Sequence, residues 1–325
     1  MFKVGIISTI DGKYDEGMKN IASNIVNNLV KNNLFEIQRY NSKDIFLLHK
    51  IKNLIKCDTI IIFLRATDKV YSLCRFLYKK SNIILFVVQP IKQSFERKCN
   101  RKMCFNYAFV LNPDDLFSLK NKISYYQFIL PTNCSKFKPV CFEDYLKNKE
   151  ILKFNVNVPI VFHAGHLTYG RNLTDFLKIP SNFATKIIAT SVNNNKSIKK
   201  ELIKGNVIIF DKYLDNIELF FQIADVYLMP TISSEFVISV PMSVLEASAT
   251  GLPILINKNF KNIALLESYI KNESIFKYDE NNIIDVFKKA LLFSKSNFNH
   301  SFLIKNNSWA NICNQIIKLI GGINK

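Results

Sequence analysis

ADVYLMPTISSEFVISVPMSVLEASATGLPILIN, from Ala224 to Asn257, reads as strand, loop, helix, glycine stop and second strand. VYLM (Val226 to Met229) and PILI (Pro253 to Ile256) are short apolar runs of strand length. Pro241 suits the first helical turn, where its missing N–H costs nothing, and Ser239 before it is a candidate cap. Met242 and Ser243 then offer free backbone N–H groups at the positive end of a helix, a natural place for a diphosphate. Glu246 lies one turn deeper, where a carboxylate could accept bonds from ribose hydroxyls. Gly251 ends the helix and Pro253 opens the next strand. Local physics leaves a plainer reading open, an ordinary βαβ unit with a surface glutamate.

The same alternation continues in both directions. Upstream in this half lie PIVFH (Pro159 to His163), KIIAT (Lys186 to Thr190) and VIIF (Val207 to Phe210). In the N-terminal half, strands are predicted at Val4 to Ile7, Thr59 to Leu64, Ile83 to Val88, Tyr107 to Leu111 and Gln127 to Leu130. These runs are too continuously apolar for a sheet with one wet face, so both faces are covered by helices and the strands are parallel. Met18 to Val30 predicts a helix with Met18, Ile21, Ala22, Ile25, Val26 and Leu29 on one stripe. Ser308 to Ile320 predicts another, with Trp309, Ile312, Ile316, Ile317 and Ile320 on one face.

The stretch Pro131 to Asn157 is polar and breaks the pattern, and 325 residues are too many for one typical core. Two doubly wound α/β domains are expected, 1–145 completed by a terminal helix over 304–325, and 146–303. Loops at the carboxyl ends of the strands should carry the ligands.

The formal net charge is +18, which favours an acidic surface or a phosphorylated substrate. No nucleic-acid motif accompanies the charge, and Lys196, Lys199, Lys200 and Lys204 have the spacing of a solvated helix face. Seven scattered cysteines form no CxxC pair, as expected for reduced thiols. No apolar run approaches the roughly 18 residues of a membrane span, and the N-terminus reads as a strand entering a Gly turn. A cytoplasmic protein is expected.

The quoted stretch closely resembles the donor-binding signature of the GT-B nucleotide-sugar glycosyltransferases of family 4, the group 1 glycosyl transferases. The residues that carry the resemblance are Ala224, Asp225, Pro230, Leu245, Glu246, Ala247, Ala249, Gly251 and Pro253. That family pairs its glutamate with another eight positions earlier, which is Ile238 here; Glu235 lies three residues further back. A second resemblance is FHAGHLTYGRNL, Phe162 to Leu173, where the family places two cations on the donor diphosphate. His166 and Arg171 fall at those positions. Alone, a loop His and Arg would more often be structural.

The loop STIDGKYDEGMKNIA resembles the first strand–helix loop of the family, in which a glycine lets the backbone approach the donor. Gly12 sits in its turn and Gly17 opens its helix, although Asp15 and Glu16 also suit simple helix capping. Arg65 and Gln89 follow two further strands and are candidates for the same cleft. The resemblance implies two Rossmann-like domains facing a central cleft. It also implies a retaining, hexosyl-type glycosyltransferase that needs no bound metal or cofactor; no Asp-x-Asp pair occurs here. The co-substrate would be a nucleotide sugar and the acceptor a glycan or a lipid-linked molecule. A catalytically degenerate domain that binds a nucleotide or a partner is the alternative, which Ile238 favours.

Peripheral contact with an anionic membrane is a further expectation. It rests on Arg75, Phe76, Tyr78, Lys79, Lys80, Lys92, Phe95, Arg97, Lys98, Arg101, Lys102 and Phe105.

Overall fold

The computed structural model describes residues 2–9, 17–31, 34–43, 45, 48–191, 195–270, 272–293 and 308–322. The chain divides into two compact units, Met1–Leu130 with Ser308–Lys325, and Pro131–Asn307.

In the first unit the elements run β1 (Phe2–Ser8), α1 (Gly17–Val30), β2 (Phe35–Asn41), α2 (Leu48–Leu54), β3 (Thr59–Phe63), α3 (Asp68–Leu77), β4 (Asn82–Val87), α4 (Gln93–Arg101), β5 (Tyr107–Val110) and β6 (Ser124–Gln127). The strands pair in parallel in the order β2-β1-β3-β4-β5-β6. The predicted stripe of α1 is the buried one, Ile21, Ala22, Ile25, Val26 and Leu29, with Met18 only half-buried.

Two features of this unit depart from the sequence reading. β2 lies at the sheet edge, half-buried along most of its length, and so lacks the continuous apolar run that marks the inner strands. The sixth strand is SYYQ, Ser124–Gln127, rather than Gln127 to Leu130; the Phe128 amide still donates to the Val110 carbonyl at 3.0 Å before the chain leaves the sheet.

The second unit runs α5 (Phe142–Ile151), β7 (Ile160–Ala164), β8 (Thr185–Ala189), α6 (Lys196–Lys204), β9 (Val207–Phe210), α7 (Ile217–Ile223), β10 (Val226–Met229), α8 (Met242–Ala249), β11 (Ile254–Asn257), α9 (Ile263–Tyr269), β12 (Ile275–Tyr278) and α10 (Ile283–Leu291). Its sheet is again six parallel strands, ordered β12-β11-β10-β7-β8-β9. The chain then returns to the first unit as α11 (Trp309–Gly322), whose buried residues are Ile312, Cys313, Ile316 and Ile320. The Cys313 thiol meets the Ile25 carbonyl of α1 at 3.6 Å. The expected junction after residue 145 falls inside α5, which packs on α7 within the second unit.

Two buried lysines serve the framework of the second unit. Lys186 Nζ donates to Ile179 O at 3.1 Å and Gly205 O at 2.7 Å, closing two helical ends from the sheet. Lys149 Nζ donates to Val156 O and Val158 O and lies 3.7 Å from Asp225 Oδ2. Burial lowers the pKa of both lysines, and the nearby Asp225 carboxylate opposes that shift at Lys149. Asp225 also accepts from the Tyr145 hydroxyl (2.9 Å) and from the Ile160 amide (2.8 Å), so it ties α5 and β7 to the start of β10.

All seven cysteines are free, and Cys57, Cys74, Cys99, Cys104 and Cys313 are buried. Among the described residues no helix is long and apolar enough to cross a membrane.

Candidate functional site

In an open parallel sheet the crevice forms where consecutive connections depart in opposite directions. The second unit has that point between β7 and β10: the chain leaves β7 toward β8 and β9, then crosses to β10 and β11 on the other side. The segment after β7, which carries His166 and Arg171, and the loop before α8, which carries Glu235, therefore flank one spot, with Met242, Ser243 and Glu246 following on α8.

Helix α8 is held at its far end by a pair of turn bonds. Gly251 N donates to Ser248 O and Leu252 N to Ala247 O, both at 3.0 Å, and Gly251 takes φ 78°, a conformation that a side chain would strain. At the near end the first helical bond runs from Val244 N to Pro241 O at 3.1 Å, so Met242 and Ser243 lie ahead of it with their amides at the open end. Pro241 itself takes the cap position, and no side chain caps the helix. Ser239, expected as the cap, is instead buried, with its carbonyl accepting from Asn262 Nδ2 at 3.2 Å.

Arg171 is the most unusual group in the unit. Its side chain is 9 % exposed, its Nε has no hydrogen-bond partner, and among the described residues no carboxylate pairs with it. Burial pushes its pKa down. The Arg171 turn ends in Asn172, which takes φ 52° and redirects the chain into the following helical turn. Gly170, beside it, has no room for a side chain because the Phe236 ring occupies that space. Phe236, half-exposed, thus seats the loop before α8 on the turn after β7.

Tyr227 on β10 connects the parts. Its hydroxyl donates to Ser243 Oγ at 2.7 Å and lies 3.3 Å from Ala164 O. Burial raises its pKa, and its phenol feels both the Arg171 cation and the Glu246 carboxylate. Glu246 keeps part of its surface open, yet its surroundings are dry enough to push its pKa up to about 7, with Lys136 opposing the shift.

The structure thus gathers Arg171, Ser243 and Glu246 around Tyr227, with Met242 beside them on α8. His166, half-buried, is near enough to the ring of His163 to disfavour its protonation. Glu235 is exposed on the loop, and Ile238 is buried at 8 % exposure.

Gly17, Arg65 and Gln89 belong to the first unit. Gly17 begins α1, while Arg65 and Gln89 follow β3 and β4 at the carboxyl end of that sheet. Arg65 Nε is buried without a hydrogen-bond partner. Gly12 lies outside the described residues.

Sequence reading missed Tyr227 and His163. Each stands within an apolar strand, where a tyrosine or histidine reads as core. The available signal was their place one or two residues from the carboxyl end of a strand at the switch point.

No protein-family model matches the chain, and no curated protein matches it by sequence. By structure it is similar to a glycosyltransferase from Rickettsia africae, at 15 % identity over 100 % of this chain and 99 % of that one, with a TM-score of 0.67. It is also similar to HepE of Anabaena in complex with UDP and glucose, at 13 % identity, 99 % and 100 % coverage and a TM-score of 0.72. A UDP-GlcNAc 2-epimerase from Methanocaldococcus jannaschii in complex with UDP-GlcNAc and UDP is similar at 15 % identity, 99 % coverage of both chains and a TM-score of 0.56. At such identities the likeness is one of fold. Two parallel six-stranded units with their helices, and the likeness to these solved proteins, give the chain a GT-B fold.

Proposed function

We propose that this chain is a glycosyltransferase that takes a sugar from a nucleoside-diphosphate donor bound at the β7/β10 switch point. The observation that carries the reading is Arg171, a buried cation with no carboxylate partner among the described residues, which acts on the same Tyr227 phenol that bonds to Ser243 at the open N-terminus of α8. An uncompensated buried charge is costly. It is sustained where an anion completes it, and a diphosphate supplies oxygens for a guanidinium fork and for the Met242 and Ser243 amides. Glu246, one turn deeper, would accept from the ribose hydroxyls.

In the reaction the same groups stabilise the charge that grows on the departing diphosphate. Arg171 is the principal cation and His166 a second one when protonated. Glu235, on the loop before α8, is proposed as a further donor contact. Retention of configuration, a hexosyl group, independence of metal and a glycan or lipid-linked acceptor are parts of the same proposal.

The test is a panel of nucleotide sugars, read for nucleoside diphosphate release with and without acceptor sugars, with product anomers assigned by NMR and chelator present in a parallel arm. Epimerised donor without transfer would move the chain to the chemistry of its epimerase neighbour.

Ile238 supports a second reading, a binding protein without turnover. It is buried where the resembled family carries a glutamate. Thermal stabilisation by a nucleoside diphosphate with no release from any donor would favour that reading.

A further inference from the structure

Two buried side chains, each with a polar atom that lacks a partner, meet beside Gly165. His163 on β7 is wholly buried, and its Nδ1 lies 2.9 Å from the Leu228 carbonyl oxygen on β10. A carbonyl only accepts, so Nδ1 carries the proton and Nε2 keeps a bare lone pair. That Nε2 has no hydrogen-bond partner, and neither has Arg171 Nε. A Cβ on Gly165 would stand 2.8 Å from His163 Nε2 and would overlap Arg171 Nη1. The imidazole lone pair and the guanidinium edge therefore border the same small space. An unsatisfied buried acceptor is destabilising, and the group beside it is a donor with five N–H bonds.

We propose that His163 is a positioning residue for Arg171: with an anion bound, the guanidinium turns an Nη1–H onto His163 Nε2 and leaves its remaining edge to the phosphate oxygens. The inference rests on the nucleoside-diphosphate reading given above. Its logic is one of charge. A carboxylate at this place would also brace the guanidinium, but it would cancel the charge that the ligand needs. A neutral imidazole orients the cation and leaves its charge intact.

His163 is suited to stay neutral. Burial, the Arg171 cation and then His166 push its pKa down to about 3, while its bond to Leu228 opposes the shift only in part. Its ring stacks on Tyr227 with centroids 5.9 Å apart, and Phe176 meets it edge-on at 6.5 Å, so its orientation is fixed from both sides.

The experiment uses the full chain, with UDP and uridine as probes in calorimetry. His163→Phe keeps a flat ring and removes the lone pair. It should lower UDP affinity by roughly tenfold or more, the worth of one hydrogen bond to a charged group, and leave uridine unchanged. His163→Gln restores an acceptor and should recover most of the loss. Wild-type UDP affinity in folded His163→Phe, or equal losses for both ligands, would overturn the proposal.

A second arm needs no nucleotide. In 15N-histidine NMR of the free protein, Arg171→Met should raise the pH at which His163 titrates, and an unchanged titration would overturn the coupling. If wild type binds no nucleoside diphosphate, the donor reading fails, and this second arm alone decides whether the two side chains act together.

Discussion

The Tyr227 hydroxyl donates a 2.7 Å hydrogen bond to Ser243 Oγ, joining β10, at the switch point of the second sheet, to the first turn of α8. The phenol is buried and the serine half-exposed, so the bond is shielded from one side. Tyr227→Phe should destabilise the unit by about 1 kcal/mol, the net worth of one such bond. Denaturant unfolding measures it, and an unchanged midpoint would show that α8 holds its place without the contact.

Arg171→Met should act in opposite directions on stability and on binding. Removing an unsatisfied buried cation should stabilise the free protein by about 1 kcal/mol or more. The same change should weaken UDP while leaving uridine nearly untouched, because only the diphosphate meets the guanidinium. A drop in melting temperature without ligand would mean that Arg171 has a partner in solution and is structural.

Gly165→Ala tests the crowding at the site. The new Cβ would collide with Arg171 Nη1, the end of a flexible side chain, and would press on His163 Nε2. The guanidinium can swing away, so the variant should fold. Its UDP affinity should fall by roughly tenfold or more as the charge-assisted bonds are lost. Unaltered UDP binding would place the diphosphate elsewhere.

Glu246 gives a pH signature. Burial raises its folded pKa to about 7, above the ordinary carboxyl value near 4.5. The folded state therefore holds the proton more tightly than the unfolded chain. Stability from this group is present at low pH and is lost as pH rises from the unfolded value through about 7. Glu246→Gln should flatten that part of the stability profile and be more stable than wild type, relative to their difference at pH 5, once the pH is alkaline. Binding should show the reverse sense: ribose hydroxyls need the carboxylate, so uridine should bind more tightly above neutrality and release a proton as it binds. Glu246→Ala should cost roughly 1–3 kcal/mol of nucleotide affinity. Calorimetry in buffers of differing ionisation enthalpy measures the proton, and no proton release would remove the ribose contact.

Attraction to anionic vesicles remains a proposal, with its residues revised. Phe95 and Phe105 are buried in the first unit's core, where their rings stack with centroids 6.2 Å apart, so they offer nothing to an interface. Phe76 on α3 is 56 % exposed, and Lys79, Lys80, Arg97, Arg101 and Lys102 are exposed on or after α3 and α4. Flotation with vesicles rich in anionic lipid should recover the protein at low salt and lose it as salt is added. Lys79→Glu with Lys80→Glu should reduce recovery. Equal recovery on neutral vesicles would favour a soluble acceptor.

The sequence by itself determined the elements whose cause is local. Gly251 stops α8 because it can take a positive φ, and the apolar runs of β3, β4, β7 and β10 require cover on both faces, which makes their sheets parallel. Arg171 and Glu246 were singled out through the resemblance to a family signature, since local pattern alone reads both as ordinary structural residues. The edge strands β2 and β12 were not, because an edge exposes part of its surface and carries no continuous apolar run.

Only the tertiary structure decided which side chains are cut off from water. Nothing in the periodicity separates Phe76 from Phe95, or marks His163 as an acceptor without a donor. Burial depends on which other elements cover a residue. The strand order that sets β7 beside β10 is a long-range choice, and it places Tyr227, Arg171 and His163 together although local pattern assigns each to a different segment.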